Sequence, residues 1–180
     1  TSAYDYELAD SIDGDYPLMY TMFALFILLT FFTLSKGDNI VNFETRFGLS
    51  IAGLLLLILA VAAGFGICAG LGLAYISIHA LLPVLVACVG VHDMYLITTT
   101  FDSQDPGVSI EERMGRAMRQ CGKALLYTAL AVSVAFYIGS MSQYYALEVF
   151  CYYAGTTLFV NYVLQANVFC AAVCLDAHRR

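Results

Sequence analysis

The chain alternates between long runs without charge and short charged segments. Residues 16–35, 124–147 and 149–175 carry no formally charged side chain, and residues 47–91 carry only His79. About 20 apolar residues cross a hydrocarbon core of about 30 Å, and the run at 47–91 is long enough for two crossings. The pattern predicts five membrane-spanning helices, near residues 16–34, 48–70, 75–98, 123–141 and 146–172.

The composition supports a membrane protein. Hydrophobic residues make up 61% of the chain and charged residues only 12%, whereas soluble domains average about 45–50% apolar and about 25% charged residues. The predicted fold class is therefore all-α, a polytopic membrane protein with a five-helix transmembrane bundle.

The basic residues predict the orientation of the bundle, because cytosolic loops near membrane ends carry an excess of Lys and Arg. All eight lie between the first and second spans, between the third and fourth, or after the fifth. The N-terminus is thus predicted to be exterior or lumenal and the C-terminus cytosolic. The predicted organisation is an end of an exterior domain or a linker at 1–15, a membrane module at 16–176 and a cytosolic basic end at 177–180.

The charges do not indicate a nucleic-acid partner. The net charge of −6 comes largely from five acidic residues within 1–15. The predicted partners are instead the bilayer and a sterol or another lipid.

The long hydrophilic segment before the fourth span contains a predicted helix of its own at 109–121. Ser109 and Glu112 have the spacing of a capping box, and an apolar stripe follows at Ile110, Met114, Met118 and Cys121. The pattern predicts a helix on the cytosolic membrane surface, with this stripe toward the acyl chains and its arginines toward headgroups. A spacer and a regulatory partner site are both consistent with it.

Small residues and cysteines are interpreted mainly as packing positions. The second span ends in glycines that allow helices to approach closely, namely Gly64, Gly66, Gly70 and Gly72. Cys170 and Cys174 share a helix face but have no further ligand at metal-binding spacing. The sequence shows no nucleophile–base set and no phosphate-binding loop, so we expect no enzyme activity, catalytic residue, metal site or cofactor.

The segment "CVGVHDMY" places His92 and Asp93 side by side within the third span. An ionised carboxylate inside a membrane costs about 2.5–3.5 kcal/mol on insertion scales, so Asp93 should face other helices or water. Adjacent helical side chains diverge by about 100°, so we expect the partners of Asp93 to come from other spans.

Four polar residues on later spans are the candidate neighbours of Asp93: Thr128, Ser133, Asn161 and Gln165. None of them can neutralise a carboxylate. Two interpretations remain open. Asp93 is either a titratable relay that couples ion movement to a conformational change, or a neutral carboxylic acid that holds helices together by hydrogen bonds.

Four segments carry a resemblance to a known family: "LLPVLVACVGVHDMYLI", "SIEERMGRAM", "LYTALAVSVAFYIGSMS" and "FCYYAGTTLFVNYVLQANVFCAAVCLDAHRR". Together they resemble the sterol-sensing domain of Patched, Dispatched and the Niemann-Pick type C cholesterol transporter, over about residues 14 to 180. This family is related to the resistance-nodulation-division transporters, which use intramembrane acids for proton coupling. The resemblance implies one transmembrane half of a larger protein, whose second half and exterior domains are further partners.

The chain also differs from the family pattern. It has "GVHD" where Patched-like members tend to have GVDD, so His92 replaces the first acid. It has Ala131 and Val132 where the Niemann-Pick protein has a Ser-Glu pair, and Val89 precedes Asp93 by four positions in place of a glycine. Because histidine titrates near neutral pH, a His-Asp pair can still carry a proton.

Two functions follow from the resemblance. The first is movement of sterol or another lipid, driven by an ion gradient through Asp93 and His92. The alternative is a passive sterol-binding module that regulates its parent protein. The predicted location is the plasma membrane or an endomembrane.

A sterol groove is expected between the first, third and fourth spans. A sterol needs a wide apolar face with a polar end. The candidate residues are Tyr16, Tyr20, Phe23, Phe26, Leu29 and Tyr137.

Overall fold

The structure is a computed structural model that describes Thr21, 24–25, Leu28 and 43–179, with side chains from residue 48 onward in the second range. The predicted exterior segment 1–15 and most of the first span lie outside the described residues. So do five of the six residues expected in the sterol groove, all except Tyr137.

The described chain is helical, and no strand occurs within 43–179. Helix α1 is Phe43–Gly70, helix α2 is Leu82–Asp102 after a 3₁₀ turn at Ser77–Leu81, and helix α3 is Ile110–Gly139. Helix α4 is Tyr145–Leu164; it continues through a π-helical turn at Gln165–Phe169 into helix α5, Cys170–Arg179.

Four helical segments are long and apolar enough to cross a membrane. They are Gly48–Gly70, Ser77–Asp102, Ile110–Gly139 and Tyr145–Arg179. The second to fifth predicted spans are therefore confirmed as helices of spanning length. The last one extends beyond the predicted end at 172, because the apolar sequence continues as helix into the basic C-terminal turn.

Pro83 lies at the start of a helix rather than within one. Pro83 occupies the first turn of α2. Proline is well accommodated there, because its missing N–H has no partner in a first turn.

The predicted surface helix 109–121 is continuous with the fourth span. Ser109 does cap the helix, since its hydroxyl accepts a hydrogen bond from the Glu112 N–H at 3.4 Å. The expectation that its apolar stripe faces acyl chains is wrong: Met114 and Cys121 are buried against the other helices, and the Cys170 thiol contacts the Met118 sulfur at 3.5 Å. One helix without a break presents the same face to its neighbours along its length.

Helix α4 packs closely against α1 and α3 through small residues. A Cβ atom added at Gly64 would lie 2.8 Å from the Cα of Thr157, and one added at Gly155 would lie 3.2 Å from the carbonyl oxygen of Ser133. The expected close packing thus occurs at Gly64. At Gly66, Gly70 and Gly72, no atom of the described residues lies within 4 Å of an added Cβ.

The orientation of this bundle is predicted by the basic residues and can be tested directly. In a full-length background without native cysteines, single cysteines at Gly37 and Gln120 should react with an impermeant thiol reagent only from the cytosolic side. A cysteine at Ser142 should react only from the exterior. Exterior labelling at Gly37, which lies outside the described residues, would contradict the orientation.

Candidate functional site

Asp93 lies on the inner face of α2. It is 3% exposed, and the neighbouring positions Gly90 and Ile97 on the same face are also buried. The cost of a carboxylate in lipid accounts for this placement, because a charged group inside the membrane is tolerated only when it faces protein or water.

His92 reaches Asp93 despite being its direct neighbour. The imidazole Nδ1 lies 3.4 Å from the Asp93 Oδ1, while the His92 side chain itself is 67% exposed. The expectation that adjacent side chains diverge too far to pair was wrong, because the imidazole can turn back toward the carboxylate although the two Cβ atoms point apart. The pair therefore joins a buried carboxylate to a group on the outer surface of the helix.

Asn161 and Gln165 of the α4 segment meet α2 one turn before Asp93. Both are 1% exposed. The Gln165 Nε2 donates to the carbonyl oxygen of Gly90 at 3.0 Å and to the Asn161 Oδ1 at 3.3 Å. Because Gly90 and Asp93 are three residues apart, they share a helix face. The structure thus brings these two amides to the face of α2 that carries the carboxylate.

The other two predicted neighbours lie elsewhere. Thr128 is exposed, and its hydroxyl donates to carbonyl oxygens of its own helix at 3.0 and 3.1 Å. Ser133 is buried, but its backbone borders Gly155 on the α3–α4 contact.

Two residues near the site were missed by sequence reasoning. Gly90 contributes only a backbone carbonyl, and its missing side chain leaves room for Gln165, whose Nε2 would lie 2.8 Å from an added Cβ. Thr157 is fully buried one turn before Asn161. The four-residue spacing of Thr157, Asn161 and Gln165 was a signal that could have identified Thr157 as part of one polar stripe.

Tyr137 of α3 lies beside α4. Its hydroxyl is 3.0 Å from the Thr156 hydroxyl, and its ring carbons would lie 3.3 Å from a Cβ added at Gly155. The phenol is 40% exposed. Among the described residues, its polar partner is therefore on the fifth predicted span.

Two arginines, near the start of α3 and at the end of α5, make contacts at the end of the bundle opposite to Tyr137. The guanidinium of Arg113 lies 4.5 Å from the centre of the Phe101 ring and donates to the Phe101 carbonyl at 3.3 Å. Arg179 pairs with the buried Asp176 at 3.7 Å. The Arg113 contact joins the start of α3 to the end of α2, whereas the Arg179 pair lies within α5. Within the described part of the chain, no three His, Cys, Asp or Glu residues are grouped as metal ligands.

Comparison with known proteins gives consistent similarities. Residues 42–180 match the family model described as the sterol-sensing domain of SREBP cleavage-activation. The chain is 32% identical over 138 residues to Protein patched homolog 1 of Danio rerio, covering 76% of this chain and 11% of that protein. It is 33% identical over 138 residues to Protein patched homolog 2 of Mus musculus, covering 76% and 12%.

A more distant relative belongs to a different group. The NPC intracellular cholesterol transporter 1 of Sus scrofa is 26% identical over 140 residues, covering 76% of this chain and 11% of that protein. The chain thus spans only 11 to 12% of the length of these relatives.

Proposed function

Because the chain belongs to the sterol-sensing domain family, we propose that it forms part of one transmembrane half of a larger protein that moves sterol or another lipid. The relatives that it matches are Patched and NPC proteins, each about nine times longer than the matched segment. A second transmembrane half and exterior domains are the proposed partners within the parent chain.

The observation that carries the proposal is the buried carboxylate of Asp93. A group that is 3% exposed within a spanning helix carries a cost of about 2.5–3.5 kcal/mol when ionised. If it served only as a hydrogen-bonding group, an asparagine would supply the same geometry without this cost. An ion-coupling role, in contrast, requires a carboxylate that can bind and release an ion, and it therefore accounts for the energetic cost of Asp93.

We assign the coupling to Asp93 with His92, and the positioning of the surrounding helices to Asn161 and Gln165. His92 is exposed on one side and lies 3.4 Å from Asp93 on the other. Histidine changes charge near neutral pH. It can therefore pass a proton to Asp93, or change the charge beside it, as the pH of its surroundings changes.

The lipid is proposed to contact the surface between α3 and α4. Tyr137 and Thr156 present a pair of hydroxyl groups there, and the neighbouring ring of Tyr152 lies 6.3 Å from that of Tyr137. A hydroxyl pair beside partly exposed rings suits a sterol, which has one polar end on an apolar body.

The test uses the full-length protein in sealed vesicles loaded with a fluorescent sterol. We expect lipid movement to require an ion gradient and to stop when an ionophore collapses it. His92→Gln removes the imidazole but keeps a polar side chain, so it should change the pH dependence of transport. His178→Gln, at an exposed position near the end of α5, should leave the profile unchanged.

Two results would contradict the proposal. If lipid moves at the same rate without an ion gradient, transport is not coupled to an ion. Binding of sterol without its movement would favour the alternative function, a passive sterol-binding module that regulates its parent protein.

A further inference from the structure

A column of buried polar side chains runs along α4 and into the first residue of the π-helical turn that follows it. Thr157, Asn161 and Gln165 follow one another at intervals of four residues, and each is at most 1% exposed. They lie between α1 and α2, since Thr157 borders Gly64 and the two amides border Gly90.

The orientation of the two amides follows from their contacts. The carbonyl of Gly90 can only accept, so the nitrogen of Gln165 must face it, at 3.0 Å. The same nitrogen lies 3.3 Å from Asn161, so Asn161 must turn its oxygen toward it. The Asn161 Nδ2 and the Gln165 Oε1 therefore take no part in these two hydrogen bonds.

These remaining atoms have no hydrogen-bond partner in the described part of the chain. The unpartnered buried atoms include the Thr157 hydroxyl, the Asn161 Nδ2 and the Gln165 Oε1. Leaving such a group without a partner costs about 1–3 kcal/mol. Three consecutive groups in one column therefore indicate a ligand that supplies the missing bonds.

The chemistry of the three atoms selects water as that ligand. Asn161 offers a donor, Gln165 an acceptor, and the Thr157 hydroxyl can act as either. A metal cation would need acceptors only and an anion donors only. Water both donates and accepts, and buried water typically makes about three hydrogen bonds to groups of this kind.

The column extends from the level of Gly90 toward the end of the bundle where α1 and α3 finish. Gly90 is one turn from Asp93, and Thr157 lies about 12 Å from Gln165 along the helix, toward the end where α1 and α3 finish. One turn further, the ring of Tyr153 lies 4.3 Å from that of His79. His79 is fully buried, and its Nε2 also has no hydrogen-bond partner among the residues that the structure describes. The basic residues predict that this end is exterior.

We propose that Thr157, Asn161 and Gln165 bind a file of ordered water molecules, through which protons from the exterior side reach Asp93. This inference rests on the proposed function, because it gives the ion-coupled carboxylate its access route. Each proton enters from exterior water, passes along the hydrogen bonds and arrives on the carboxylate.

Few other titratable groups face this route. His92 contacts Asp93 on α2 itself, and His79 lies at the exterior end with Tyr75 and Tyr153 beside it. Asp, Glu, Lys, Arg and His are absent from three segments: 48–70 of α1, 124–139 of α3 and 149–175 of α4 and α5. Among the described residues that form the hydrophobic core or pack against it, the remaining titratable groups are four thiols and one phenol: Cys68, Cys121, Cys170, Cys174 and Tyr162.

The test follows the protonation of Asp93 independently of transport. Dicyclohexylcarbodiimide modifies carboxyl groups in apolar surroundings when they are protonated, and mass spectrometry of the peptide containing Asp93 measures the rate. With full-length protein in sealed vesicles and the cytosolic pH clamped, lowering the exterior pH by one unit should raise the rate by up to about tenfold. The same change on the cytosolic side should have little effect.

Two variants interrupt the column in different ways. Thr157→Val keeps the side-chain shape and removes only a hydroxyl that has no partner among the described residues, so the fold should be retained. Asn161→Leu removes the donor. Each should reduce the response to exterior pH to below about a third of the wild-type response. The matched control is Thr100→Val, because that buried hydroxyl already donates to the Leu96 carbonyl at 2.7 Å.

The outcomes separate this inference from the proposed function. Modification that follows the cytosolic pH, or an undiminished response in Thr157→Val, would overturn the water route even if lipid transport is intact. Modification that follows the exterior pH and is lost in both variants would support the route, even if no lipid movement is found.

Discussion

Asp93→Asn in the full-length protein is expected to abolish gradient-driven lipid movement while the protein still folds and reaches the membrane. Asparagine has nearly the same shape and can keep the hydrogen bonds of a buried polar group, but it cannot take up or release a proton. It also avoids the cost of about 2.5–3.5 kcal/mol of an ionised group in the membrane. Transport in vesicles and surface expression are the two measurements.

Asp102→Asn provides the comparison on the same helix. Asp102 is the last residue of α2 and is exposed, so its replacement should leave the transport rate within about twofold. If Asp93→Asn moved lipid at the wild-type rate with the wild-type pH profile, Asp93 would be only a hydrogen-bonding group between helices.

Gly64→Ala is expected to destabilise the bundle strongly, because one methyl group would be forced against a backbone. The added Cβ would lie 2.8 Å from the Thr157 Cα, and a backbone atom cannot move aside as a flexible side chain can. Overpacking of this kind costs about 1–3 kcal/mol. The measurement is the fraction of purified protein that stays monodisperse after heating in detergent.

Gly66→Ala is the matched control for this prediction. It lies two residues further along α1, and no atom of the described residues lies within 4 Å of an added Cβ. Alanine is favoured over glycine inside a helix by about 1 kcal/mol. We expect equal or higher stability. Equal stability of the two variants would show that α1 and α4 are not held as closely as Gly64 and Thr157 indicate.

Much of the fold was predictable because the membrane imposes a length on each apolar run. Runs without charge located four helices that the structure describes, and Ser109 marked the start of α3. The continuity of α3 through Gly122 was not predictable, since a glycine beside a change in polarity is typical of a helix end. Burial of Met114 and Cys121 against neighbouring helices outweighs this local preference.

The candidate site was less accessible to sequence reasoning. The cost of a carboxylate in lipid predicts that Asp93 faces inward, and the shared face of Asn161 and Gln165 is visible in their spacing. The acceptor of Gln165, however, is a backbone carbonyl, which every residue possesses and no sequence pattern marks. Likewise, a helical wheel does not show that the His92 ring can turn back to Asp93.

The π-helical turn at Gln165–Phe169 has a consequence for the phase of the helix. Interior positions along this segment recur every four residues, at Thr157, Asn161, Gln165, Phe169 and Val173. In an α-helix each such step advances by about 40° beyond a full turn, so four steps would rotate the interior stripe by about 160°, almost onto the lipid side. A wider turn takes up part of that drift. Because of this irregular turn, the polar interior positions before it and the apolar interior positions after it all face the inside of the bundle.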